Sequence, residues 1–389
     1  MKAKSTGDLA LVKKLNSYIV LNCIRKHAPL SRAQISEQTG LNKATVSNLV
    51  AELIEHNLVL EIGPGESSGG RKPVLLLFND KAGYAIGIDL GVNYIRGVLV
   101  DLNGNIEQEY YQKLINQKRE LAFDALIQSI DLLIEQATAS NYGIVGIGIG
   151  VPGIVDQNGT ILFAPNMKWR EVPLKQMLEQ RYDYPIIIDN EANAGAQGEQ
   201  KYGAGKGIRN QIYLSVGYGI GSGIILDKEL YKGTSGFSGE LGHLSIDFNG
   251  KECTCGNLGC WELYASEKAL LEDASEYGFE HLDELIQAAE QGDERVLHLF
   301  EKIGHYLGIG IANIINTLNP DSVMIGNRMS RAAEWIMPSL EKTVQQRALS
   351  FHTEQLQFLF AELQELSAVR GAAYYAIDRF FEQFKATHQ

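Results

Sequence analysis

The sequence lacks any run of about 18 consecutive apolar residues, so no segment is expected to cross a membrane as a helix. Proline is also scarce, with nine residues against forty glycines. The glycines follow no triplet repeat, which excludes a collagen-like chain and favours the tight turns of an α/β protein. The lysines near the N-terminus precede no apolar segment with a cleavage site, so a secretory signal is not expected. These absences predict a cytoplasmic protein without membrane contact.

Cysteine is rare, and its distribution is uneven. Three of the four cysteines, Cys253, Cys255 and Cys260, fall within eight residues, and only Cys23 lies elsewhere. A secreted disulfide-bonded protein would spread its cysteines along the chain, whereas clustered thiols favour a metal site in a reducing compartment.

Basic residues are outnumbered, because 35 Lys and Arg stand against 47 Asp and Glu and the net charge is −12. The balance differs along the chain. Residues 1–80 carry ten basic and seven acidic side chains, whereas the remainder carries 25 and 40. Phosphate contacts require positive surface, so the acidic bulk is excluded as a general nucleic-acid binder and the N-terminal segment is the candidate.

The N-terminal segment has the pattern of a helix-turn-helix. A helix over residues 10–26 is followed by a second helix, which begins with the capping box of Ser31 and Gln34 and ends at Gly40. Asn42 caps a third helix, whose apolar residues follow the helical period. In this motif the first turns of the second of the two paired helices enter the major groove of DNA.

The start of the third helix and a basic wing are the predicted DNA contacts. The helix positions are short or carry donors, and none is acidic, which suits base edges and phosphates. Strands over residues 59–62 and 74–78 flank a Gly-rich loop and form the wing. The predicted DNA-binding residues are Ser31, Asn42, Lys43, Ala44, Thr45, Ser47, Asn48, Arg71 and Lys72. A helical hairpin used only for packing is the alternative interpretation.

The body of the chain repeats one plan, in which a buried strand leads through a tight turn into a second strand. Asp89 ends the first such strand, in "YAIGIDLG", and Gly217 follows the second, in "QIYLSVGYG". Glycine suits a turn whose backbone approaches a phosphate closely. This duplicated plan is typical of the actin/hexokinase-like fold. A dinucleotide-binding fold is disfavoured, because its glycine motif should open a helix.

One histidine and three cysteines form a compact group in "ELGHLSIDFNGKECTCGNLGCWE". His243, Cys253, Cys255 and Cys260 match a closed set of one His and three Cys, which normally holds a structural zinc ion. A transient disulfide between Cys253 and Cys260 is the alternative interpretation.

Together these motifs resemble the ROK family of sugar kinases and sugar-responsive repressors, and the resemblance covers nearly the whole chain. It includes "GIDLG", "GVPG", "NEAN", the zinc stretch and the terminal "RGAAYYA". It implies an α/β fold in which a winged helix-turn-helix at residues 1–80 precedes a two-lobed actin/hexokinase-like body. The first lobe is expected at 81–190 with a C-terminal helix at 371–389. The second lobe, with the zinc motif and sugar site, is expected at 191–370.

The resemblance also implies that a sugar lies in the cleft between the lobes. Carboxylates and carbonyls accept the hydrogen bonds that sugar hydroxyls donate. The residues implied as sugar-binding are Asn190, Glu191, Glu240, His243 and Glu262. Asn166 and Trp169 are expected to line the same pocket. In the family, one ring nitrogen of the residue at His243 binds zinc and the other meets a sugar hydroxyl.

The chain departs from the kinase members of the family on the nucleotide side of the cleft. Val92 and Asn93 replace a glycine and a threonine in the first phosphate turn, and Tyr218 replaces a small hydroxyl in the second. Asn327 replaces a glycine on the adenosine side, and Glu191 replaces the catalytic Asp. A misplacement of about 1 Å can cost about a hundredfold in rate. A cleft that binds sugar without phosphorylating it, and without a need for ATP, is therefore expected.

Within the family, the chain is most similar to the xylose-responsive repressors of Gram-positive bacteria. The expected function is therefore repression of xylose-utilisation genes, with a homodimer bound to a pseudo-palindromic operator and released by D-xylose. Glu191 agrees with a pentose, because xylose lacks the C6 hydroxymethyl group and the longer side chain fills part of that space. A ROK-type sugar kinase with a DNA-binding head and a sugar-responsive activator are the alternatives.

Overall fold

The computed structural model describes residues 9–64, 72–114 and 118–384. The N-terminal head combines three helices with three short strands in this part of the chain. They are α1 (Leu9–His27), β1 (Leu30–Ser31), α2 (Arg32–Thr39), α3 (Lys43–Glu55), β2 (Val59–Pro64) and β3 (Val74–Phe78). Strand β3 lies between β1 and β2 and pairs antiparallel with both. The predicted helices and wing strands are confirmed, and β1 is an additional strand that the sequence did not indicate.

Local hydrogen bonds fix the turn between α2 and α3. The Ser31 hydroxyl accepts a bond from the Gln34 backbone N–H at 3.4 Å, while Gln34 Oε1 accepts one from the Ser31 N–H at 2.8 Å. Gly40 ends α2 with φ of 71°, a left-handed conformation that glycine adopts without steric cost. Asn42 then caps α3 by accepting a bond from the Thr45 N–H at 2.8 Å. The sequence therefore sets the angle at which α3 leaves the turn.

The first lobe is built on a mixed sheet with strand order β11-β7-β4-β5-β6. Strands β4, β5 and β6 form an antiparallel meander, and β7 and β11 add in parallel on the other side of β4. The elements are β4 (Tyr84–Leu90), β5 (Tyr94–Asp101), β6 (Ile106–Lys113), α4 (Arg119–Gln136), β7 (Ile144–Val151), β8 (Ile154–Val155), β9 (Ile161–Ala164), β10 (Trp169–Val172), α5 (Leu174–Glu179) and β11 (Ile186–Asn190). The next helix, α6 (Glu191–Tyr202), contacts the sheets of both lobes.

The second lobe repeats this arrangement with strand order β14-β13-β12-β15-β16. An antiparallel meander again comes first, and β15 and β16 again add in parallel. The elements are β12 (Gln211–Val216), β13 (Ile220–Leu226), β14 (Glu229–Leu230), α7 (Glu262–Ala265), α8 (Glu267–Ala274), α9 (Leu282–Glu290), α10 (Glu294–Leu318), β15 (Ser322–Gly326), α11 (Ala333–Arg347), α12 (Ser350–Thr353) and β16 (Gln357–Phe360). The last helix, α13 (Ser367–Glu382), returns to pack on β4 and β7 of the first lobe. The duplicated plan predicted from the sequence is confirmed.

Helices α6 and α13 pack against each other between the two sheets. A Cβ atom on Gly198 of α6 would lie 2.0 Å from the Ser367 carbonyl oxygen, and one on Gly371 of α13 would lie 1.7 Å from that of Ala194. The two backbones are thus in direct contact, which only glycine permits. Helix α13 begins at Ser367, four residues before the predicted start, because the Ser367 hydroxyl is held by buried Glu199 at 2.6 Å.

Each lobe has an apolar core around its own sheet, and a third core joins the head to α13. In the third core, Leu76 and Phe78 of the wing strand lie with Ile377 and Phe381 of α13. The head is therefore packed onto the body through buried apolar surface. No helix in the described part of the chain has the length and apolar character required to cross a bilayer.

Candidate functional site

A cavity of about 910 Å³ lies between the two lobes. Its walls include the β4–β5 turn of the first lobe and the β12–β13 turn of the second. Pockets for small molecules typically measure about 300–1,000 Å³, so the cavity has the size of a ligand site. The predicted sugar-binding residues that line it are Asn166, Asn190, Glu191, Glu240, His243 and Glu262.

The junction of β11 and α6 places two of these residues. Asn190 caps α6 by accepting bonds from the backbone N–H groups of the first turn, and its Nδ2 donates to the Gly153 carbonyl at 2.9 Å. Glu191 follows and accepts a bond from the Ser215 hydroxyl at 2.9 Å. Asn327 Nδ2 in turn donates to that hydroxyl at 3.0 Å. The Glu191 carboxylate is therefore held by β12 and by the residue that follows β15.

Glu191 shares a buried region with a second carboxyl group, that of Asp89. Burial raises the pKa of both groups, and the charge of Asp89 raises the pKa of Glu191 further. The Tyr94 hydroxyl donates to Asp89 Oδ2 at 2.8 Å and lowers the pKa of Asp89 in part. Two buried carboxylates resist ionising together, so the pair retains a proton near neutral pH.

Tyr94 also covers the first glycine turn of the cleft. A Cβ atom on Gly91 would lie 2.4 Å from the Tyr94 ring, so the ring rests directly on that backbone. In the family resemblance this turn approaches a nucleotide phosphate. The ring fills the space beside Gly91, which is a further difference at this turn besides Val92 and Asn93.

The four predicted metal ligands come together. Their ligand atoms all lie within 4.8 Å of one another. The Sγ atoms of Cys255 and Cys260 are 3.6 Å apart, and Cys253 Sγ is 3.7 Å from His243 Nδ1. Zinc bonds of about 2.0–2.3 Å in a tetrahedron place ligand atoms at such separations. The residues therefore form a cluster that fits a tetrahedral metal ion.

Two carboxylates flank His243 on the cavity side of this cluster. Glu262 Oε1 lies 3.6 Å from His243 Nδ1, and Glu240 Oε2 lies 3.9 Å from Nε2. Nδ1 faces the thiols, so a metal at Nδ1 would leave Nε2 with the proton and directed toward Glu240. The neighbouring Trp261 is fully buried, and its Nε1 donates to the Tyr306 carbonyl at 2.8 Å, which anchors the loop on α10.

The exposed face of α3 carries the predicted base contacts. Asn42, Lys43, Ala44, Ser47 and Asn48 are exposed, and Thr45 is half-buried. The opposite face is buried in the core of the head. Lys72 is exposed just before β3, while Arg71 lies outside the described residues.

Two predicted residues have different positions from those expected. Trp169 is 4% exposed in the core of the first lobe and is absent from the cavity wall, because the apolar β10 face turns its indole inward. Ser31 is 5% exposed, and its hydroxyl is used in the capping box. It positions α2 and leaves no free surface for DNA.

Sequence reasoning missed three residues that shape the cleft. Ser215 donates to Glu191, Asn327 donates to Ser215, and Tyr94 covers the first turn. Side chains alternate along a strand, so Ser215 shares one face of β12 with Gln211 and Tyr213. Polar residues at these alternate positions could have indicated that Ser215 faces other polar groups. The hydrogen bonds themselves join residues more than 20 positions apart, so the linear pattern does not reveal them.

Comparison with known proteins agrees with this architecture. The ROK family model matches residues 85–379, and an IclR helix-turn-helix domain model matches residues 19–61. The chain belongs to the ROK family.

Among individual relatives, the chain is 45% identical to the xylose repressor of Bacillus subtilis, over 97% of this chain and 98% of that protein. A solved ROK family transcriptional regulator, a homologue of the Escherichia coli MLC protein, superposes with a TM-score of 0.80 at 26% identity, covering 97% of this chain and 98% of its own. A ROK family glucokinase from Streptomyces griseus, solved with glucose and AMPPNP, superposes with a TM-score of 0.70 at 30% identity, covering 76% and 100%. The glucokinase match covers less of this chain than the regulator match does. The prediction of a regulator rather than a kinase agrees with the relatives that span the whole chain.

Proposed function

We propose that this protein is a transcriptional repressor of xylose-utilisation genes, released from its operator by D-xylose. The observation that carries the proposal is the 45% identity to a xylose repressor along 97% of the chain, which includes both the head and the cleft. The exposed, acid-free first turns of α3 and the carboxylate-lined cavity supply the two chemistries that such a protein needs.

The head would bind one half-site of a symmetric operator. A homodimer presents two α3 helices to a pseudo-palindromic operator, with half-sites about one helical turn or a multiple apart. Asn48 suits adenine, Lys43 suits guanine or phosphate, and Ala44 and Thr45 suit a thymine methyl group. Lys72 and Arg71 of the wing would add phosphate contacts.

The cavity would bind the pyranose between the lobes, and closure would change the placement of the heads. Asn166, Asn190, Glu191, Glu240, His243 and Glu262 are the proposed contacts. Reversing an occupancy of about 99:1 requires about 10⁴-fold preference for the released state, or about 5.5 kcal/mol, shared between two subunits. By reciprocity, operator DNA would weaken xylose binding by the same factor.

A structural zinc ion, one per chain, is proposed at His243, Cys253, Cys255 and Cys260. When bound it supplies a fixed tetrahedral anchor. The chain's own residues then orient the sugar, because Glu240 and Glu262 flank His243. Zinc thiolates persist in a reducing compartment, which agrees with action in the cytoplasm.

The proposed domains are the winged helix-turn-helix at 1–80, a first lobe at 81–190 and a second lobe at 191–370. The C-terminal helix is assigned to the first lobe. The packing of α13 on β4 and β7 supports this assignment.

Fluorescence anisotropy of DNA from upstream of the protein's own gene tests the proposal. D-xylose is titrated at fixed salt, with D-glucose and N-acetylglucosamine as controls, because affinities depend strongly on salt. Release by xylose alone is expected. Tight DNA binding that does not change with xylose would refute xylose as the inducer. Absence of DNA binding would refute the assignment as a repressor.

A further inference from the structure

The β5–β6 turn contacts both the head and the cleft helix α6. Arg25 in the last turn of α1 donates from Nη2 to the Leu102 carbonyl of this turn at 3.2 Å. Its guanidinium carbon lies 4.0 Å from the ring centre of Phe381 in α13 and 5.3 Å from that of Phe78 in β3. One side chain of the head therefore touches a wing strand, the C-terminal helix and a turn of the first lobe.

The same turn is held from the other side. Arg370 of α13 donates from Nη2 to the Gly104 carbonyl at 2.9 Å, and its guanidinium lies 4.5 Å from the ring centre of Tyr202. A Cβ atom on Gly104 would lie 2.4 Å from the Tyr202 ring. Tyr202 is therefore in close contact with the turn backbone that the two arginines bind.

Tyr202 is the last residue of α6, and the cavity residue Glu191 is the first. A helix of 12 residues is rigid over about 17 Å, so a displacement at one end reaches the other. Helix α6 lies between the lobes, since it contacts β12 and β13 of the second as well as β7, β11 and α13, and the turn belongs to the first lobe. Closure of the lobes would thus shift Tyr202 against the turn.

We propose that the turn at residues 102–105 relays cleft closure to the head, with Arg25 as the positioning residue that transmits it. The inference deepens the proposed function and rests on it. Arg25 suits this role because a planar guanidinium stacks on rings while donating to a carbonyl, so its position depends on both partners. Burial lowers the pKa of Arg25, and its Nε has no hydrogen-bond partner among the described residues. These features are typical of a side chain that serves to position its neighbours.

The variant Arg25→Met tests the relay, because methionine keeps apolar contact with the rings but removes the donors and the charge. Operator affinity without sugar and xylose affinity without DNA are expected to stay within about threefold of wild type. The coupling factor, typically about 5–150-fold in allosteric proteins, is expected to fall to within about threefold of one. It is measured twice, as the loss of operator affinity at saturating xylose and as the loss of xylose affinity at saturating operator.

Lys26→Met is the matched control, because it removes one positive charge from the same helical turn at an exposed position. It should keep the wild-type coupling factor. Arg25→Lys, which keeps charge and a donor without the planar group, should give an intermediate factor and guards against misfolding of the first variant. Wild-type coupling in both Arg25 variants would overturn the relay. A wild-type protein that ignores xylose would instead overturn the proposed function, so the two failures are distinguishable.

Discussion

Glu191 offers the sharpest test of how the cavity selects its sugar. In the structure its carboxylate is fixed by the Ser215 hydroxyl at 2.9 Å and occupies the cavity wall at the start of α6. Glu191→Asp withdraws the carboxylate by about one carbon–carbon bond, or about 1.5 Å. The Ser215 bond then exceeds the usual limit for a hydrogen bond, and space for one methylene opens beside the sugar.

The size of the effect follows from that methylene. One methylene more or less in a closely fitting pocket changes discrimination by about 1–3 kcal/mol, or about 10–200-fold. Glucose differs from xylose by a hydroxymethyl group, so the opened space should favour glucose. We expect the ratio of the glucose Kd to the xylose Kd to fall by at least about tenfold. Xylose itself should weaken only modestly, since its proposed contacts with Glu240, His243 and Glu262 are unchanged.

Isothermal titration calorimetry of both sugars measures this ratio directly. Glu240→Asp is the matched control, because it shortens another cavity carboxylate by the same amount, next to His243. It should weaken both sugars in parallel and leave their ratio near the wild-type value. A ratio in Glu191→Asp within about twofold of wild type would refute the idea that Glu191 excludes the larger sugar.

Three further predictions concern the metal cluster, the buried acid and the DNA face. Cys255→Ser should lose bound zinc and the response to xylose, while operator binding survives. Metal analysis measures the first loss, and anisotropy of operator DNA measures the other two properties. A full response to xylose in this variant would show that the sensor does not need zinc. Because burial raises the pKa of Glu191, the folded state keeps a proton that the unfolded chain loses above its ordinary pKa. Wild type should therefore lose unfolding free energy as the pH rises from about 5 to 8, and it should lose more than Glu191→Gln, in which only buried Asp89 still contributes. Denaturant unfolding at pH 5.5 and 7.5 checks this, and parallel shifts of the two proteins would contradict it. Asn48→Ala should cost about 1–3 kcal/mol at one operator base, whereas Lys43→Ala, if Lys43 contacts a phosphate, should weaken all sequences and reduce the salt slope by about one. Equal losses on specific and scrambled DNA would count against base reading by Asn48.

Elements defined by neighbouring residues were predictable from the sequence. The capping box at Ser31 and the glycine at Gly40 specify the helix-turn-helix through bonds that span a few residues. The metal cluster was equally accessible, because Cys253, Cys255 and Cys260 are held by one short loop and His243 lies ten residues before it. The repeated strand–turn–strand pattern likewise predicted the two similar sheets.

Other features depend on packing between distant segments, and only the tertiary structure decided them. Trp169 reads as a sugar-facing aromatic but is buried in a core, because the orientation of β10 is set by the strands beside it. The Tyr94 ring rests on Gly91, and Ser215 of β12 donates to Glu191 while Asn327 donates to Ser215.

The sequence by itself determined which chemical groups are available: a helix α3 without acid in its first turns, three thiols with a histidine, and a set of carboxylates. The spacing of neighbouring residues was enough to predict these features, because helix caps, turns and the cysteine loop each involve residues close together in the chain. The tertiary structure decided which of these groups share the cleft and how the head is attached. Arg25 meets Leu102 and Phe381 across 77 and more than 350 positions, and such contacts arise only when the apolar faces of the head and α13 are buried together.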